Sequence, residues 1–343
     1  MAGLVPTPVR RAAYRAQQTS VLLQCLAAHR VLRAVSRRGA PFPAEVERET
    51  QRRYRALLDR DLANVEAGLY PADLLFQLPF FGYVQKLPLL LRDMPRSMRR
   101  MLAGNYQDLP DDIDLRRYPP YYRRNFHWQT DGYFSLRSAE LYDVAVEFLF
   151  LGTADVMRRQ VIPPVTRHLQ GRDVASCKLL DIACGTGRTL RQIAIAHPSL
   201  QLYGVDLSPY YIRAARQNLA DVAPDARLLP ENGEDLPFKD GQFDAVTSVY
   251  LFHELPRNAR RNVFREMFRV LRPGGVVVIE DSAQISESGA IASILGRFSR
   301  EFHEPFYDEY LHDDIAEALT EVGFEVESTE PHFVAKVVTA RKP

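Results

Sequence analysis

Two glycines and an acid, spaced along the second half of the chain, have the pattern of a nucleotide-binding site. Gly185 and Gly187 follow a short apolar run at residues 179–183 and precede a stretch with helical periodicity. A strand, a glycine turn and a helix N-terminus together bring backbone N–H groups against a ligand. Asp206 ends a second apolar run about twenty residues downstream, where an acid can accept hydrogen bonds from ribose hydroxyls. The spacing therefore predicts a site for a cofactor that contains a nucleoside.

The residues after the turn narrow the choice of cofactor. A dinucleotide fingerprint carries a third glycine three residues after the second, whereas Gly187 is followed by Arg-Thr-Leu. Further motifs then occur in order at residues 231–238 (ENGEDLPF), 243–246 (FDAV) and 271–275 (LRPGG), and the last one leads into an apolar run at 276–280.

With these motifs the sequence resembles the class I S-adenosylmethionine-dependent methyltransferases, whose turn has the form D-x-x-x-G-x-G. Within that superfamily it is most similar to the branch of the ubiquinone/menaquinone C-methyltransferases (methyltransferase type 11), which shares the block at 231–238. The resemblance implies an α/β fold, with a Rossmann-like seven-stranded sheet flanked by helices. It also implies S-adenosyl-L-methionine as the cofactor.

The resemblance further implies roles for individual residues. Gly185 and Gly187 are expected to approach the methionine part of the cofactor, and Asp181 to orient its amino group. Asp206 is expected to hold the ribose diol, and Asn232, which stands where many relatives have Asp, to read the adenine edge. The implied cofactor-binding positions are Asp181, Gly185, Thr186, Gly187, Asp206, Leu207, Asn232, Gly233 and Val249.

Catalysis makes few demands on acid and base groups. The methyl group of a sulfonium is already activated, so in-line placement of the acceptor supplies most of the rate. A base is required only where the acceptor keeps its proton at pH 7. His253 is a candidate base just past the fourth predicted strand, although the pair His253-Glu254 also fits a helix N-terminus with a solvated imidazole. His127 is a further candidate, and no His, Cys, Asp or Glu cluster has metal-ligand spacing, so we expect no metal.

An aromatic-rich stretch at residues 118–134 is the candidate acceptor site. It holds seven aromatic side chains, the single Trp128 among them, interleaved with Arg, His and Gln. Such a mixture suits a lid or pocket wall over a flat or greasy molecule, with Trp128, Tyr133 and His127 as acceptor contacts. The alternative is an aromatic seam between two regions. An uncharged run at 74–85 could line a tunnel, press on a bilayer or belong to the core.

Two regions are expected to position these residues. Residues 1–150 are predicted to form a helical region that serves as a lid and recognises the acceptor, and residues 151–343 to form the S-adenosylmethionine-binding domain. Apolar runs alternate with helical stretches in the second region, which favours a mostly parallel sheet. The predicted strands are 177–183, 201–206, 226–229, 243–250, 275–280, 324–329 and 333–340. The predicted helices are 44–69, 154–169, 187–197, 209–222, 258–271, 287–302 and 312–322.

Charge and cysteine content bear on partners and compartment. The formal net charge of +1 gives no overall field to attract nucleic acid. Three separated cysteines without CxxC spacing suit a reducing cytoplasm. Residues 1–44 contain several arginines and no acid, as in a transit peptide, an amphipathic helix on anionic lipid or a helix docked on the protein. Because arginine is in excess along the whole chain, we expect an ordinary helix in a cytoplasmic protein, with peripheral membrane contact through this region as the alternative.

The sequence thus predicts an enzyme that transfers a methyl group to a small, hydrophobic or aromatic acceptor. A protein or RNA acceptor is disfavoured by the near-neutral charge and by Ser-Val-Tyr-Leu at 248–251, where an Asn-Pro-Pro-Tyr-type block would stand. A non-catalytic, cofactor-binding accessory subunit is disfavoured by the complete turn and its acids. The acceptor, the methylated atom and the oligomeric state stay open.

Overall fold

A computed structural model describes residues 7–36, 42–77 and 80–343 of the chain. The helices are α1 (Thr7–Ser36), α2 (Ala44–Glu66), α3 (Phe80–Ala103), α4 (Leu136–Leu149), α5 (Ala154–Arg158), α6 (Ile162–Leu169), α7 (Arg188–Ala196), α8 (Pro209–Leu219), α9 (Arg257–Val270), α10 (Ile285–Ser288), α11 (Ala292–Phe302), α12 (Tyr307–Tyr310) and α13 (Ile315–Val322). The strands are β1 (Lys178–Ile182), β2 (Gln201–Val205), β3 (Arg227–Leu229), β4 (Phe243–Val249), β5 (Leu271–Ser282), β6 (Glu325–His332) and β7 (Ala335–Arg341).

The strands form one sheet in the order β3-β2-β1-β4-β5-β7-β6. Neighbours from β3 to β5 run parallel, and β7 is antiparallel to both β5 and β6. The central strands are buried on both faces, as Phe243–Val249 in β4 shows, which is typical of parallel strands covered by helices. This confirms the seven-stranded sheet flanked by helices.

The predicted elements differ from the observed ones mainly at proline and glycine. Strand β5 begins at Leu271 instead of 275, because Leu271 pairs with Phe243 before the chain bulges outward and pairing resumes between Ala245 and Val276. The predicted helix 154–169 is divided into α5 and α6, which has proline in its first turn. The predicted helix 287–302 is divided near Gly289, where φ is +53°.

The N-terminal helices pack on one face of the sheet. A single buried cluster joins Tyr14 of α1 and Leu57 of α2 to Leu179 of β1 and Val276 of β5. On the opposite face, α9 and α13 cover a second cluster. The regions before and after residue 150 therefore share one hydrophobic core.

A buried ion pair ties the same two regions together. Asp61 of α2 accepts two hydrogen bonds from the guanidinium of Arg159, both 2.6 Å long. Tyr70 donates to the same carboxylate at 2.5 Å, and Tyr14 donates to it as well. Because every charged or polar group of this set has a partner, the set can stay buried between helix and sheet.

Part of the N-terminal region can now be placed. Helix α1 buries Tyr14, Val21 and Cys25, so the described part of residues 1–44 contains a helix that packs on the rest of the protein. Among the described residues, no helix has the length and apolar character needed to span a bilayer. In the uncharged run 74–85, Leu74 and Leu75 belong to the core, and residues 78–79 lie outside the described part.

Candidate functional site

A cavity opens at the carboxyl ends of β1, β2 and β4, where ligands bind in open α/β sheets. The space between its walls is about 740 Å³, a figure that includes open solvent at the mouth. The sheet side contributes Ile182, Ala183, Gly185, Asp206, Leu207, Tyr211, Glu231, Asn232, Gly233, Val249, Tyr250, Leu251, Glu254, Leu255 and Val263, and the N-terminal region contributes Tyr121, Tyr122, Tyr133 and Tyr142.

The glycine turn combines three left-handed residues over a short distance. Ala183, Gly185 and Gly187 have φ of +57°, +54° and +77°, and Gly187 caps helix α7. A side chain at Gly185 would meet no atom within 4 Å, because this residue faces the cavity. A side chain at Gly187 would instead meet Ala215 of α8 at 3.1 Å. The first glycine therefore leaves room for the ligand, and the second leaves room for a neighbouring helix.

Asp206 connects the end of β2 to the turn. One carboxylate oxygen accepts the Gly185 N–H and the other accepts the Ser208 N–H, each at 2.9 Å. Burial raises the pKa of Asp206 to about 6, even though both backbone bonds favour the charged form. The carboxylate lines the cavity, so it can accept ribose hydroxyls beside the backbone bonds it already holds.

Three of the implied cofactor positions, Asp181, Thr186 and Gly187, do not line the cavity. Asp181 is buried within β1, where Thr247 donates a 2.7 Å hydrogen bond to it. Burial raises its pKa to about 7, against the effect of the Thr247 bond. Thr186 donates through its hydroxyl to Asp143 of α4 at 2.7 Å. Asp181 and Thr186 therefore hold the glycine turn through hydrogen bonds to its neighbours, and Gly187 allows helix α8 to pack closely against the turn.

The remaining implied cofactor positions all lie at the cavity wall. Leu207 follows β2, and Val249 is the last residue of β4. Asn232 and Gly233 lie in the loop after β3. The side-chain carbonyl of Asn232 accepts the Glu234 N–H at 3.0 Å, which fixes the orientation of its amide. This geometry leaves the Asn232 amide nitrogen as the group that can donate to the adenine edge.

Tyrosines from the N-terminal region and from the sheet side line the cavity together. Tyr133 packs edge-on against Tyr211, with 5.3 Å between ring centroids, and stacks on Tyr122 at 5.5 Å. The Ser208 hydroxyl, from the cofactor side, donates to the Tyr133 carbonyl at 2.5 Å. Burial raises the pKa of Tyr133 well above its ordinary value, so its hydroxyl stays neutral. We call Tyr121, Tyr122, Tyr133, Tyr142, Tyr211 and Tyr250 the tyrosine wall.

Comparisons with known proteins decide the family. A family model described as a methyltransferase domain matches residues 179–275. The chain is 32% identical to a demethylmenaquinone methyltransferase of Thermotoga maritima over 57% of its own length and 88% of the relative. It is 30% identical to the O-methyltransferase rstn1 of Aspergillus nomiae over 54% and 84%.

The chain belongs to the class I S-adenosylmethionine-dependent methyltransferases. Its cofactor is accordingly S-adenosylmethionine. A solved methyltransferase of this type from Aquifex aeolicus overlaps 48% of the chain and 81% of its own length at 19% identity, with a TM-score of 0.38.

The two candidate catalytic histidines of the methyltransferase lie outside the cavity lining. His253 is buried, and its Nδ1 lies 2.6 Å from Asp281. Burial alone would lower the pKa of His253, but the Asp281 carboxylate raises it above the ordinary value. His127 lies behind the wall, with its Nε2 3.1 Å from Glu254. The structure therefore gives neither imidazole a direct place against a cofactor in this cavity.

Trp128 needs a correction as an acceptor contact. Its indole N–H donates to the Glu301 carbonyl at 3.0 Å, and its ring lies 4.9 Å from that of His303. It packs against the end of α11 and does not line the cavity. Within the aromatic stretch, Tyr133 belongs to the wall, whereas Trp128 belongs to the seam between the regions. Tyr133 therefore fits the predicted pocket wall, and Trp128 fits the alternative seam.

Several residues of the methyltransferase site had no signal in the sequence. Asp143 and Tyr142 come from α4, about forty residues before the turn. Asp143 accepts the Thr186 hydroxyl, and Tyr142 lines the cavity. Glu254 lines the cavity, whereas its neighbour His253, the predicted candidate base, does not. An acid next to a candidate histidine was visible, but which of the two faces the cavity depends on the short helix at Phe252–Glu254.

Proposed function

We propose that this methyltransferase transfers the methyl group of S-adenosylmethionine to a small, hydrophobic or aromatic acceptor by in-line displacement. The observation that carries the proposal is the tyrosine wall. Its side chains face the same cavity as Gly185 and Asp206. An acceptor held against this wall would lie beside the cofactor's methyl group, which is the placement that supplies most of the rate.

The tyrosine wall suits a planar, apolar acceptor. Aromatic faces and edges pack well against another ring, and each hydroxyl supplies one directional hydrogen bond. Burial raises the pKa of Tyr122, Tyr211 and Tyr250 well above the ordinary value, so the wall carries no charge at neutral pH. An RNA acceptor would require basic side chains to hold its phosphates, and the described residues of the cavity lining include none.

The division of labour follows the two sequence regions. We propose that residues 1–150 supply acceptor recognition through Tyr121, Tyr122, Tyr133 and Tyr142, and that residues 151–343 supply the cofactor contacts. The names of the relatives indicate which acceptors to assay first. They include a demethylmenaquinone methyltransferase and an O-methyltransferase, so demethylated quinols and simple phenols are the starting set.

The experiment follows label from methyl-labelled S-adenosylmethionine into product. Full-length protein is incubated with demethylated quinols, with phenols or with a lipid and metabolite extract, and products are read by mass spectrometry. We expect label in a small organic product. Asp206→Ala protein serves as the control for cofactor-dependent transfer. Label found only in protein or RNA of an extract would contradict the proposal.

A further inference from the structure

Three side chains with metal-ligating atoms meet behind the tyrosine wall. The Nε2 atom of His127 lies 3.1 Å from Glu254 Oε1 and 3.0 Å from Glu304 Oε1. Ligand atoms of all three residues lie within 4.8 Å of one another. They come from the aromatic stretch, from the loop after β4 and from the chain after α11. Because their sequence separations are long, ligand spacing could not reveal the cluster.

The cluster contains a carboxylate that its neighbours do not satisfy. The Glu304 side chain is fully buried, and neither of its oxygens has a hydrogen-bond partner. His127 Nε2 can carry only one hydrogen, and its bond is to Glu254, which also accepts the Tyr133 hydroxyl at 2.6 Å. A buried carboxylate without a donor is costly. Burial raises the pKa of Glu304 well above its ordinary value, so this side chain either keeps its proton or is neutralised by a bound cation.

The nearest guanidinium is engaged elsewhere. Arg124 donates through Nε to the Tyr121 carbonyl at 2.8 Å, and its guanidinium lies 5.2 Å from the centre of the Phe306 ring. It affects the Glu304 carboxylate only through space. A small cation placed between the three ligand atoms would neutralise Glu304 directly.

The distances fit a metal ion. Ligands about 2.1 Å from an ion and at right angles to each other lie about 3.0 Å apart, which matches the two distances from His127 Nε2. One imidazole and two carboxylates suit Mn²⁺, Fe²⁺ or Zn²⁺. We propose that His127, Glu254 and Glu304 form a binding site for one such divalent ion at the edge of the acceptor cavity.

A metal ion at this site would restrict the acceptor to molecules that can ligate it, and this inference rests on the proposed methyl transfer. Glu254 belongs both to the cluster and to the cavity lining, so an ion held by this residue would lie next to the cavity. Such an ion binds a hydroxyl or carbonyl oxygen of a phenol, hydroquinone or enol. His127 Nδ1 has no hydrogen-bond partner, and loss of the partner that orients a ligating imidazole typically costs about 10–100-fold in metal affinity. We therefore expect a weaker site than a structural zinc centre.

The test titrates metal into full-length protein without acceptor. Tag-free protein is dialysed against chelator and then titrated with MnCl₂, followed by the electron paramagnetic resonance signal of free Mn²⁺, and with ZnCl₂ by calorimetry. We expect one ion per chain. Glu304→Gln should weaken binding at least tenfold. Glu301→Gln, an exposed glutamate of the same segment, is the matched control and should bind as the wild type does.

Folding is checked in each variant by circular dichroism and by binding of S-adenosylhomocysteine. Where Glu304→Gln does not fold, His127→Gln replaces it with the same expectation. No stoichiometric binding to the wild type, or undiminished binding to a folded variant of either ligand, would overturn the metal site. Because no acceptor is present, a failed metal titration leaves the proposed methyl transfer intact. Failure of methyl transfer likewise leaves the titration result standing.

Discussion

At the scale of single residues, Asp206 combines two tasks. It accepts the N–H groups of Gly185 and Ser208 and also lines the cavity. The position of Asp206 in the sequence indicated a ribose contact. Its backbone bonds could not be predicted, since they depend on how the turn folds back on the end of β2. One carboxylate thus shapes the turn and presents the polar edge of the cavity.

The affinity for S-adenosylmethionine should depend on the charge of Asp206. Its pKa of about 6 in the folded protein means that the carboxylate is ionised above that pH and protonated below it. The ionised form accepts both ribose hydroxyls, so calorimetry should show about tenfold weaker binding at pH 5 than at pH 7.5. Asp206→Ala should weaken binding at pH 7.5 by roughly 1–3 kcal/mol.

Asp181 offers the control, because burial also raises its pKa, to about 7. In Asp181→Asn, the affinity for S-adenosylmethionine should still fall as the pH drops through about 6. In Asp206→Asn, the affinity should not change with pH in this range. If Asp181→Asn removed the pH dependence of binding and Asp206→Asn did not, Asp181 would be the group whose protonation weakens binding, and the prediction for Asp206 would be wrong.

The two glycines of the turn should respond differently to the same substitution. Gly187→Val places its side chain against Ala215 and Leu219 of α8, so we expect a lower melting temperature. Gly185→Val meets no protein atom within 4 Å and extends into the cavity, so we expect loss of cofactor binding. Both have positive φ, which strains any side chain, so the comparison between them carries the argument.

Thermal melts and calorimetry on both variants make the test. Gly187→Val protein that melts like the wild type yet binds no cofactor would show that this position faces the ligand after all.

At the scale of elements, the aromatic stretch at 118–134 shows side-chain directions that could not be predicted from the sequence pattern. Its composition predicted a wall or a seam, and the structure contains both, with Tyr133 in the wall and Trp128 in the seam. Regular strands and helices repeat their side-chain directions, so their buried faces are readable from sequence. This stretch has short 3₁₀ turns, and His127 and Trp128 have positive φ, so no period assigns a side chain to a face.

Turnover should separate the wall from the seam. Tyr133→Ala removes an aromatic ring from the cavity lining and should lower methyl transfer to the true acceptor strongly. Trp128→Phe keeps an aromatic ring and loses the bond to the Glu301 carbonyl, so it should cost about 1 kcal/mol of stability with little change in turnover. Equal losses of turnover in both variants would place the whole stretch in one role.

At the scale of the whole molecule, strands and long helices were predictable because their apolar runs are regular. The packing of the N-terminal helices on the sheet was not, because no sequence period links Asp61 to Arg159. These residues meet only after the chain has folded, and they join α2 to the turn that precedes α6. The methyltransferase sheet of this chain is therefore covered on one face by its own N-terminal region.

Breaking that pair should destabilise the entire protein. Asp61→Asn leaves the Arg159 guanidinium buried without its anion, which typically costs about 3–5 kcal/mol. Asp59→Asn, at an exposed ion pair with Arg15, should change stability by about 0.5 kcal/mol or less. Urea unfolding followed by Trp128 fluorescence and by circular dichroism checks both values.

We expect the two signals to coincide in the wild type, since both regions share one core. Separate transitions would mean that the N-terminal helices unfold independently of the sheet.

The shared core sets a timing problem during synthesis. Helices α1 and α2 leave the ribosome before the strands that they cover, whose residues Leu179 and Val276 follow more than a hundred codons later. At about 5–20 residues per second, the gap between the end of α2 and β5 lasts roughly 10–40 s. Throughout that interval the nascent helices expose an apolar face, so the yield of soluble protein in cells should depend on ribosome-associated chaperones.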